Sequence, residues 1–305
     1  MKNNQGRFLL TFSIFTRAMV LLLLVVFALN LQYLNWKNGY NLSRLVGLAA
    51  GKWWKLFYEV YDGFYSLFGD PMVIAQSNAG MTWSIRVMGV PFTDPIAFIS
   101  VLVKNHEVSL GFAVGLIVPL SLSLIFGRVF CSYICPASLL FFTTSRVRRY
   151  LLKYFYFPEV HLSKASAYGV LCGGLILSLT FSHGVWTHIL PYFAIGQTLF
   201  HAIAFGSLST CLFVILFFTL VDLFLGKHFT CKYLCPTGQI LGFIGSKSLV
   251  RIKRDSSQCL DSCNSCTLIC PLDVNPKIDE TIDCSLCGEC LIACPTKCLS
   301  IGFKK

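Results

Sequence analysis

Eight cysteines near the carboxyl end of the chain form two related runs. The runs read C-x3-C-x2-C-x3-C-P and C-x2-C-x2-C-x3-C-P, and the second is the spacing of bacterial ferredoxins. In that spacing three thiolates bind one [4Fe–4S] cube, and the fourth cysteine of the run reaches the other cube. The pattern therefore predicts two clusters with crossed ligands. The predicted ligands are Cys259, Cys263, Cys266 and Cys294 for cluster A, and Cys284, Cys287, Cys290 and Cys270 for cluster B.

Zinc and disulfide bonds are the alternatives for these eight cysteines. Zinc ribbons use separated C-x2-C pairs and have no need of the C-x3-C-P ending, which occurs twice here. A disulfide framework requires an oxidising compartment, whereas the topology argued below places this segment in the cytoplasm. The first run has one extra residue in its first gap, which a loop can absorb, and Cys259 is the ligand that this departure affects.

A second group of cysteines lies in an internal repeat. Residues 127–136 read G-R-V-F-C-S-Y-I-C-P, and residues 226–236 read G-K-H-F-T-C-K-Y-L-C-P. The paired cysteines of the two copies are 100 positions apart, and so are Pro91 and Pro191. Each of these prolines is expected to open the segment that leads into the following span. Two parallel copies would be related by an axis along the membrane normal, which brings the two turns face to face. The cysteines of the turns are Cys131, Cys135, Cys231 and Cys235.

Four thiols that meet in this way have several possible uses. They could bind a further iron–sulfur cluster or another metal such as zinc, or they could exchange electrons as dithiols. The alternative is that C-x3-C-P is a packing device, in which small side chains precede a proline that ends a helix.

The composition indicates an integral membrane protein with a small soluble appendage. Hydrophobic residues make up 55% of the 305 residues, charged residues only 13%, and the mean hydropathy is +0.67. Soluble domains have roughly 25% charged residues. The formal net charge of +11 comes from basic residues beside apolar segments rather than from one basic run with aromatics, which argues against nucleic-acid binding.

Four apolar segments predict four transmembrane helices. The first covers residues 18–34 and has no small-residue cleavage site after it, so it is expected to stay uncleaved. The others are residues 110–126, 168–186 and about 208–225. The loop at residues 183–197 contains no Lys or Arg, so it is expected on the outer side of the inner membrane. Both termini of this multi-pass chain are then expected in the cytoplasm. The basic residues that follow the second and fourth spans are Arg128, Arg146, Arg148, Arg149, Lys153, Lys164, Lys227, Lys232, Lys247, Arg251, Lys253 and Arg254.

These segments predict an all-α polytopic membrane domain over residues 1–253. Its two parallel helical-hairpin repeats cover about 8–150 and 165–250, with an outer loop at 37–107. Residues 254–305 are expected to form a small α+β cytoplasmic domain like a bacterial 2[4Fe–4S] ferredoxin.

Several further residues are weaker candidates. Residues 52–68 predict an aromatic-rich helix, which would lie at the outer membrane surface or bind a partner. Asp222, an acid in the fourth span, is the catalytic candidate for proton or quinone handling, with simple snorkelling as its alternative. The histidines could bind haem, although they are not at matching depths and interfacial roles are the alternative. The remaining residues considered are His183, His188, His201 and His228 for haem, Cys172 and Cys211 for packing, and Cys298 as a spare thiol.

An ordered set of motifs resembles the NapH family of membrane polyferredoxins, whose relatives include NosH, MauN and, more distantly, NosR. The motifs are Val90-Pro-Phe-Thr-Asp94-Pro95, the two C-x3-C-P turns, Phe218-Thr-Leu-Val-Asp222-Leu, Leu241-Gly-Phe-Ile-Gly-Ser-Lys247 and the closing ferredoxin pair. The resemblance covers roughly residues 8–34 and 80–303. It implies that the chain is a quinol dehydrogenase subunit of anaerobic respiration, which oxidises menaquinol or ubiquinol. Electrons would pass through iron–sulfur centres towards periplasmic ferredoxin-type or multihaem cytochrome subunits, with the turn cysteines as the relay.

Two other functions stay open on the sequence. One is a transmembrane thiol carrier that uses the turn cysteines to support maturation of a periplasmic metalloenzyme. The other is a membrane anchor whose clusters are structural or sensory. A covalent flavin is disfavoured because no D-G-x-T-G motif is present.

Overall fold

The longest element of the computed structural model is its first helix. Helix α1 is Lys2–Leu42, and its 41 residues extend well beyond the predicted span at 18–34. Within its apolar part, Asn4–Asn38, an 18-residue window has a mean hydropathy of 2.4, and α1 is the only helix in the described ranges that is long and apolar enough to cross a membrane. The structure describes residues 2–42, 52–163, 165–260, 262–278 and 283–303, so residues 43–51 of the predicted outer loop and Lys164 lie outside it.

The other predicted spans form shorter helices, so the structure does not confirm four full transmembrane helices. The segment 110–126 is divided into α5, Leu110–Val114, and α6, Ile117–Phe126. The division falls at Gly115, whose carbonyl accepts a hydrogen bond from the amide of Thr93 at 3.0 Å. A Cβ at Gly115 would lie 2.5 Å from the Thr93 hydroxyl, so this close approach requires glycine. The other two apolar helices are α9, Ser166–Thr180, and α12, Cys211–Leu225.

Much of the described part of the predicted outer loop is regular structure. It contains three short antiparallel strands in the order β1-β2-β3, and the all-α prediction is therefore wrong here. Gly89 has a positive φ in the turn between β2 and β3, and Gly80 has a positive φ within β1, where a Cβ would lie 2.4 Å from the backbone oxygen of Ser84. The elements are α2, Lys52–Ser66; α3, Pro71–Ser77; β1, Gly80–Met81; β2, Ser84–Val87; β3, Val90–Thr93; and α4, Pro95–Asn105.

The second half of the helical part repeats the order of elements found in the first. A short helix opened by proline, an apolar helix, a cysteine turn and another proline-opened helix occur twice. Pro91 lies in β3, so the helix-opening counterpart of Pro191 is Pro95 and the predicted pairing of Pro91 with Pro191 is wrong. The further elements are α7, Val129–Tyr133; α8, Pro136–Leu151; α10, Trp186–Ile189; α11, Pro191–Phe205; a π-helical turn, Thr230–Leu234; and α13, Pro236–Ile244.

The two halves pack across one another. Helix α1 packs against α11, while α9 packs against α4. In the same manner α8 contacts α12, and α13 contacts α6. The shared core includes Ile96, Phe141, Trp186, Phe193 and Phe218. The cysteine turns therefore lie between the halves rather than at the edge of either.

The carboxyl-terminal part is a small α+β unit. Strands β4, Val250–Arg254, and β5, Leu299–Phe303, form an antiparallel pair, with α14, Ser265–Ile269, and α15, Glu289–Ala293, between them. Its first strand starts at Val250 rather than at the predicted boundary of 254. Helix α15 packs on the beginning of α1, where a Cβ at Gly6 would lie 2.9 Å from Ile292.

The other end of α1 packs on α2. Tyr33 of α1 is fully buried, contacts Tyr58 of α2, and donates a hydrogen bond to Asp62. Lys37 pairs with the same carboxylate at 2.8 Å. The opposite face of α2 is exposed and aromatic, with Trp53 83% exposed, and the helix covers residues 52–66 of the predicted 52–68.

Candidate metal centres

The structure brings the four predicted ligands of cluster B around one small cavity. Cys270, Cys284, Cys287 and Cys290 line it, together with apolar groups such as Ile252. Two backbone amides donate to the sulfurs: Val274 to Cys270 at 3.3 Å, and Leu286 to Cys284 at 3.5 Å. Burial raises the pKa of Cys284 to about 12, so its thiolate requires a positive partner such as iron.

The four predicted ligands of cluster A lie around a second cavity. Cys259, Cys263, Cys266 and Cys294 all line it. Hydrogen bonds from Ser265 lower the pKa of Cys263, which favours its thiolate. Cys298, expected as a spare thiol, also lines this cavity and lies 3.6 Å from the sulfur of Cys294.

The arrangement of these cysteines fits a cube better than a single ion. Among the described residues, no three His, Cys, Asp or Glu side chains converge closely enough to bind one metal ion. A structural zinc site needs four ligands within about 2.3 Å of the ion. The corners of an iron–sulfur cube hold their thiolates further apart, so cysteines spread around a cavity are what a cube requires.

The two C-x3-C-P turns also meet. Cys135 lies within electrostatic range of Cys131 and Cys235, and Cys231 lies within range of the other three. The second turn has one more residue than the first, and its π-helical form accommodates that residue. The juxtaposition expected from the repeat is therefore present in the structure.

A buried arginine lies among the turn cysteines. Arg128 is 2% exposed, pairs with Asp283 at 3.0 Å and donates to the carbonyl of Cys231 at 3.2 Å. Gly238 makes room for it, because a Cβ there would lie 2.4 Å from the guanidinium. The sequence placed Arg128 among the basic residues of a cytoplasmic loop, so its buried ion pair was missed.

A second buried arginine approaches the turns from α1. Arg17 is 4% exposed and donates to the hydroxyl of Ser138 at 2.8 Å. It lies within electrostatic range of Cys135 and Cys287. Buried charges are normally paired, and a cluster held by four thiolates carries net negative charge. Arg17, whose hydrogen bonds go to Ser13 and Ser138, therefore fits an anionic centre at the turn cysteines, and Arg128, already paired with Asp283, lies beside the same thiols.

The first turn lies directly on the cluster B loop. The hydroxyls of Ser132 and Ser285 are 2.6 Å apart, and the hydroxyl of Tyr133 donates to the carbonyl of Leu286 at 2.9 Å. One small cavity is lined by Cys131 and Cys231 of the two turns and by Cys287 of the loop. The turn cysteines and the cluster B cysteines are thus neighbours.

An ionic contact joins the second turn to the same domain. Asp273 pairs with Lys232 of the turn and with Lys227 at 3.1 Å. Burial acts to raise the pKa of Asp273, but the hydrogen bond and charge of Lys232, with Lys227, outweigh it and leave the pKa below its usual value. Both turns are therefore held to the ferredoxin-like unit.

Asp222 supports the second turn. It is 1% exposed, and one of its carboxylate oxygens accepts hydrogen bonds from the amide and the hydroxyl of Thr230, at 2.8 and 2.6 Å. Its other oxygen has no hydrogen-bond partner in the described part of the chain. The side chain is enclosed beside the turn, so it does not snorkel to the surface.

The histidines and the remaining cysteines are dispersed. His183 bonds to the Ser100 hydroxyl at 3.0 Å, and His188 to that of Thr187 at 3.1 Å. His228 is buried beside the second turn. Cys172 is exposed on α9, whereas Cys211 is buried on α12.

Two cysteine-lined cavities in a small α+β unit, next to paired cysteine turns in an apolar helical body, define a ferredoxin-type iron–sulfur protein. The family described as 4Fe-4S binding domain matches residues 108–153 and 205–255. Each matched stretch contains one C-x3-C-P turn, and both end before the first tail cysteine.

Curated relatives cover most of the chain. The ferredoxin-type protein NapH of Haemophilus influenzae is 30% identical in an alignment of length 281 that covers 84% of this chain and 95% of that protein. NapH of Escherichia coli is 26% identical over 67% of this chain and 72% of its own length. The methylamine utilization ferredoxin-type protein MauN of Paracoccus denitrificans is 26% identical over 73% of this chain and 77% of its own. No solved structure matches.

The chain belongs to the NapH family of ferredoxin-type proteins, and the family resemblance seen in its motifs is confirmed. It is an iron–sulfur electron-transfer protein.

Proposed function

We propose that this chain is the membrane-bound subunit that oxidises a quinol and relays the electrons towards a periplasmic reductase system. The observation that carries the proposal is the contact between the first turn and the cluster B loop, through Ser132 with Ser285 and Tyr133 with Leu286. This contact supports a series of cysteine ligand sets that would lead from the turns through the cluster B loop into the tail. Iron–sulfur clusters at such positions carry electrons one at a time.

In space the series would run from the turns to the tail, and the turn centre would be the relay between the tail clusters and the periplasmic side. Cys131, Cys135, Cys231 and Cys235 would hold a further cluster, supported by the two buried arginines and by the family match over both turns. Cluster B would follow, on Cys270, Cys284, Cys287 and Cys290, and then cluster A. The ligands of cluster A would be Cys259, Cys263, Cys266 and Cys294.

The helical part would lie in the inner membrane, with several crossings and both ends of the chain in the cytoplasm. Large apolar side chains cover the outer faces of α1, α9 and α12, for example Leu22 at 64%, Ile176 at 61% and Phe213 at 74% exposure. Such faces suit lipid rather than water. The basic residues after α6 and α12 then lie on the cytoplasmic side. Periplasmic ferredoxin-type or multihaem subunits would accept the electrons.

Metal analysis of anaerobically purified protein tests the cluster assignment. We expect about twelve irons per chain in the wild type, because three cubes contain four irons each. Serine at all four turn cysteines should remove about a third of the iron. The matched control carries serine at Cys172 and Cys211, and its iron content should equal that of the wild type. Unchanged iron in the turn variant would refute the turn centre, and zinc in place of iron would refute the whole assignment.

A second experiment separates electron transfer from thiol exchange. Addition of a reduced quinol to the anaerobic protein should bleach the cluster absorbance of the wild type. A thiol carrier would instead form a mixed disulfide at the turn cysteines, which non-reducing electrophoresis and mass spectrometry would trap.

A further inference from the structure

An apolar cavity of about 120 Å³ lies between α1, the three-stranded sheet and α6. Its volume is comparable with the roughly 150 Å³ of a protein cavity that binds one benzene ring. Most of its wall is aliphatic or aromatic, so it suits a flat apolar ring. The lining residues without a hydrogen-bonding side chain include Val20, Leu24, Ile85, Phe92, Val118 and Leu122.

One wall of the cavity carries a fixed carboxylate. Asp94 is 7% exposed, and one oxygen caps α4 by accepting from the amides of Ile96 at 2.8 Å and Ala97 at 3.3 Å. The other oxygen accepts from the hydroxyl of Tyr192 at 2.9 Å, and that hydroxyl lies 2.7 Å from the hydroxyl of Thr237. Asp94 is the only carboxylate among the described residues that line the cavity.

Two buried hydroxyls in the same wall lack hydrogen-bond partners within the part of the chain that the structure describes. They belong to Thr82 and Thr93, and both residues line the cavity. A buried polar group that is left unsatisfied loses its hydration without gaining a hydrogen bond in return. A ligand with oxygen atoms on an otherwise apolar ring would satisfy these hydroxyls, so they point to such a ligand independently of Asp94.

The cavity reaches the first cysteine turn, and Tyr192 of its lining contacts Thr237 next to the second turn. Phe130, Ile134 and Pro136 of the first turn form part of its lining, and Thr237 follows Cys235 and Pro236 of the second turn. A ring in this cavity would therefore lie next to the turn cysteines.

The cavity also has a route to lipid. Helices α1 and α6 both line the cavity, but they do not pack closely against each other. Val20 of α1 and Leu122 of α6 are only half-buried at this gap. A long apolar tail could leave between the two helices while a ring stays inside.

We propose that this cavity binds the hydroquinone ring of the quinol, with its isoprenoid tail between α1 and α6 and with Asp94 as the proton acceptor. This inference rests on the function proposed above and names its substrate site. Oxidation of a hydroquinone to a quinone releases two electrons and two protons, and the electrons go one at a time to the iron–sulfur centres of the chain. The Asp94 carboxylate accepts the first proton and releases it to water before it accepts the second. Asp222 lies at the π-helical turn and not in this lining, so we assign it a positioning role instead.

Photolabelling tests the location without any turnover. Membranes that contain the full chain are illuminated with an azido-substituted quinone, and labelled peptides are identified by mass spectrometry. We expect labels within residues 82–95 and 118–136. Leu24→Trp, which fills the cavity, should abolish this labelling and weaken binding of 2-heptyl-4-hydroxyquinoline N-oxide, measured by its fluorescence, at least tenfold.

The proton role is tested by Asp94→Asn. Asparagine caps a helix as well as aspartate does, so the variant removes charge while keeping the cap. We expect photolabelling to persist, reduction of the clusters by quinol to slow by about 10²–10⁴-fold, and reduction by dithionite to stay unchanged. The matched control is Asp70→Asn, because Asp70 caps α3 before Pro71 in the same way but is exposed and does not line the cavity.

The outcomes separate the two proposals. A wild type that quinol reduces, but whose label maps elsewhere, overturns the site and leaves the proposed function standing. Quinol reduction of Asp94→Asn at the wild-type rate overturns the proton role. A wild type that quinol neither reduces nor protects from labelling overturns the proposed function itself. Because label mapping uses the wild type, a failure of Leu24→Trp to fold does not affect the test.

Discussion

Arg128 should be the strongest single link between the helical part and the ferredoxin-like unit. Its guanidinium is 2% exposed and pairs with Asp283, itself only 14% exposed, at 3.0 Å. Arg128→Met keeps most of the side-chain volume but removes the charge. Loss of one partner from a buried ion pair lowers the free energy of unfolding by about 3–5 kcal/mol, because the other charge stays buried.

Thermal unfolding in detergent, followed by tryptophan fluorescence, measures this loss. For a chain of this size we take roughly 2 °C per kcal/mol, which predicts that the Tm of Arg128→Met falls by about 6–10 °C. The double variant with Asp283→Asn also removes the buried negative charge and should regain at least half of the fall. Arg128→Lys, which keeps the charge but not the planar fork, should lie between the wild type and Arg128→Met.

Arg86→Met is the control, since Arg86 is an exposed residue of β2, and its Tm should equal that of the wild type. The reasoning is refuted if Arg128→Met lowers the Tm by less than about 1 °C. It is equally refuted if the double variant is no more stable than Arg128→Met alone, because the loss would then not come from the ion pair.

Three further variants test the same docking. Gly238→Ala places a methyl group against the guanidinium and should cost about 1–3 kcal/mol of unfolding free energy, whereas Gly173→Ala, with open space around it, should leave the Tm unchanged. Tyr133→Phe removes the hydrogen bond to the Leu286 carbonyl and should cost about 1 kcal/mol, read as a fall in Tm of about 2 °C. Since the pKa of Asp273 is lowered, its stabilisation is fully present above its ordinary 3.8 and is lost as the pH falls through the lowered value. In Asp273→Asn the Tm should therefore fall less at acid pH than the Tm of the wild type. An equal fall in the two proteins would contradict the ion pair.

Local spacing was the most informative part of the sequence. The crossed sets of tail cysteines line two separate cavities because short gaps fix which thiols can face one cavity. The repeat likewise anticipated that Cys131 and Cys231 would lie close together. Within each tail run the cysteines are only a few residues apart. The cysteines of the two turns are related by a duplication that is visible in the sequence.

Long-range packing could not be deduced in the same way. The division of the segment 110–126 depends on Thr93 lying against Gly115, and a hydropathy profile does not contain that contact. The sheet at β1–β3 was missed because its strands are only two to four residues long. Asp94 appeared only as part of a family motif, since its partner Tyr192 is 98 residues away. An acid before a proline could have suggested a helix cap, but not a cavity wall.

The pairing of β4 with β5 closes the tail into a single loop that contains all eight of its ligand cysteines. During synthesis this loop cannot close until β5 has left the ribosome, by which time the helices and both turns are already complete. Delivery of iron and sulfide to the tail is then a late step of biogenesis, which follows the synthesis of the whole helical part. A ribosome stalled before β5 should therefore yield a chain that can load the turns but not the tail.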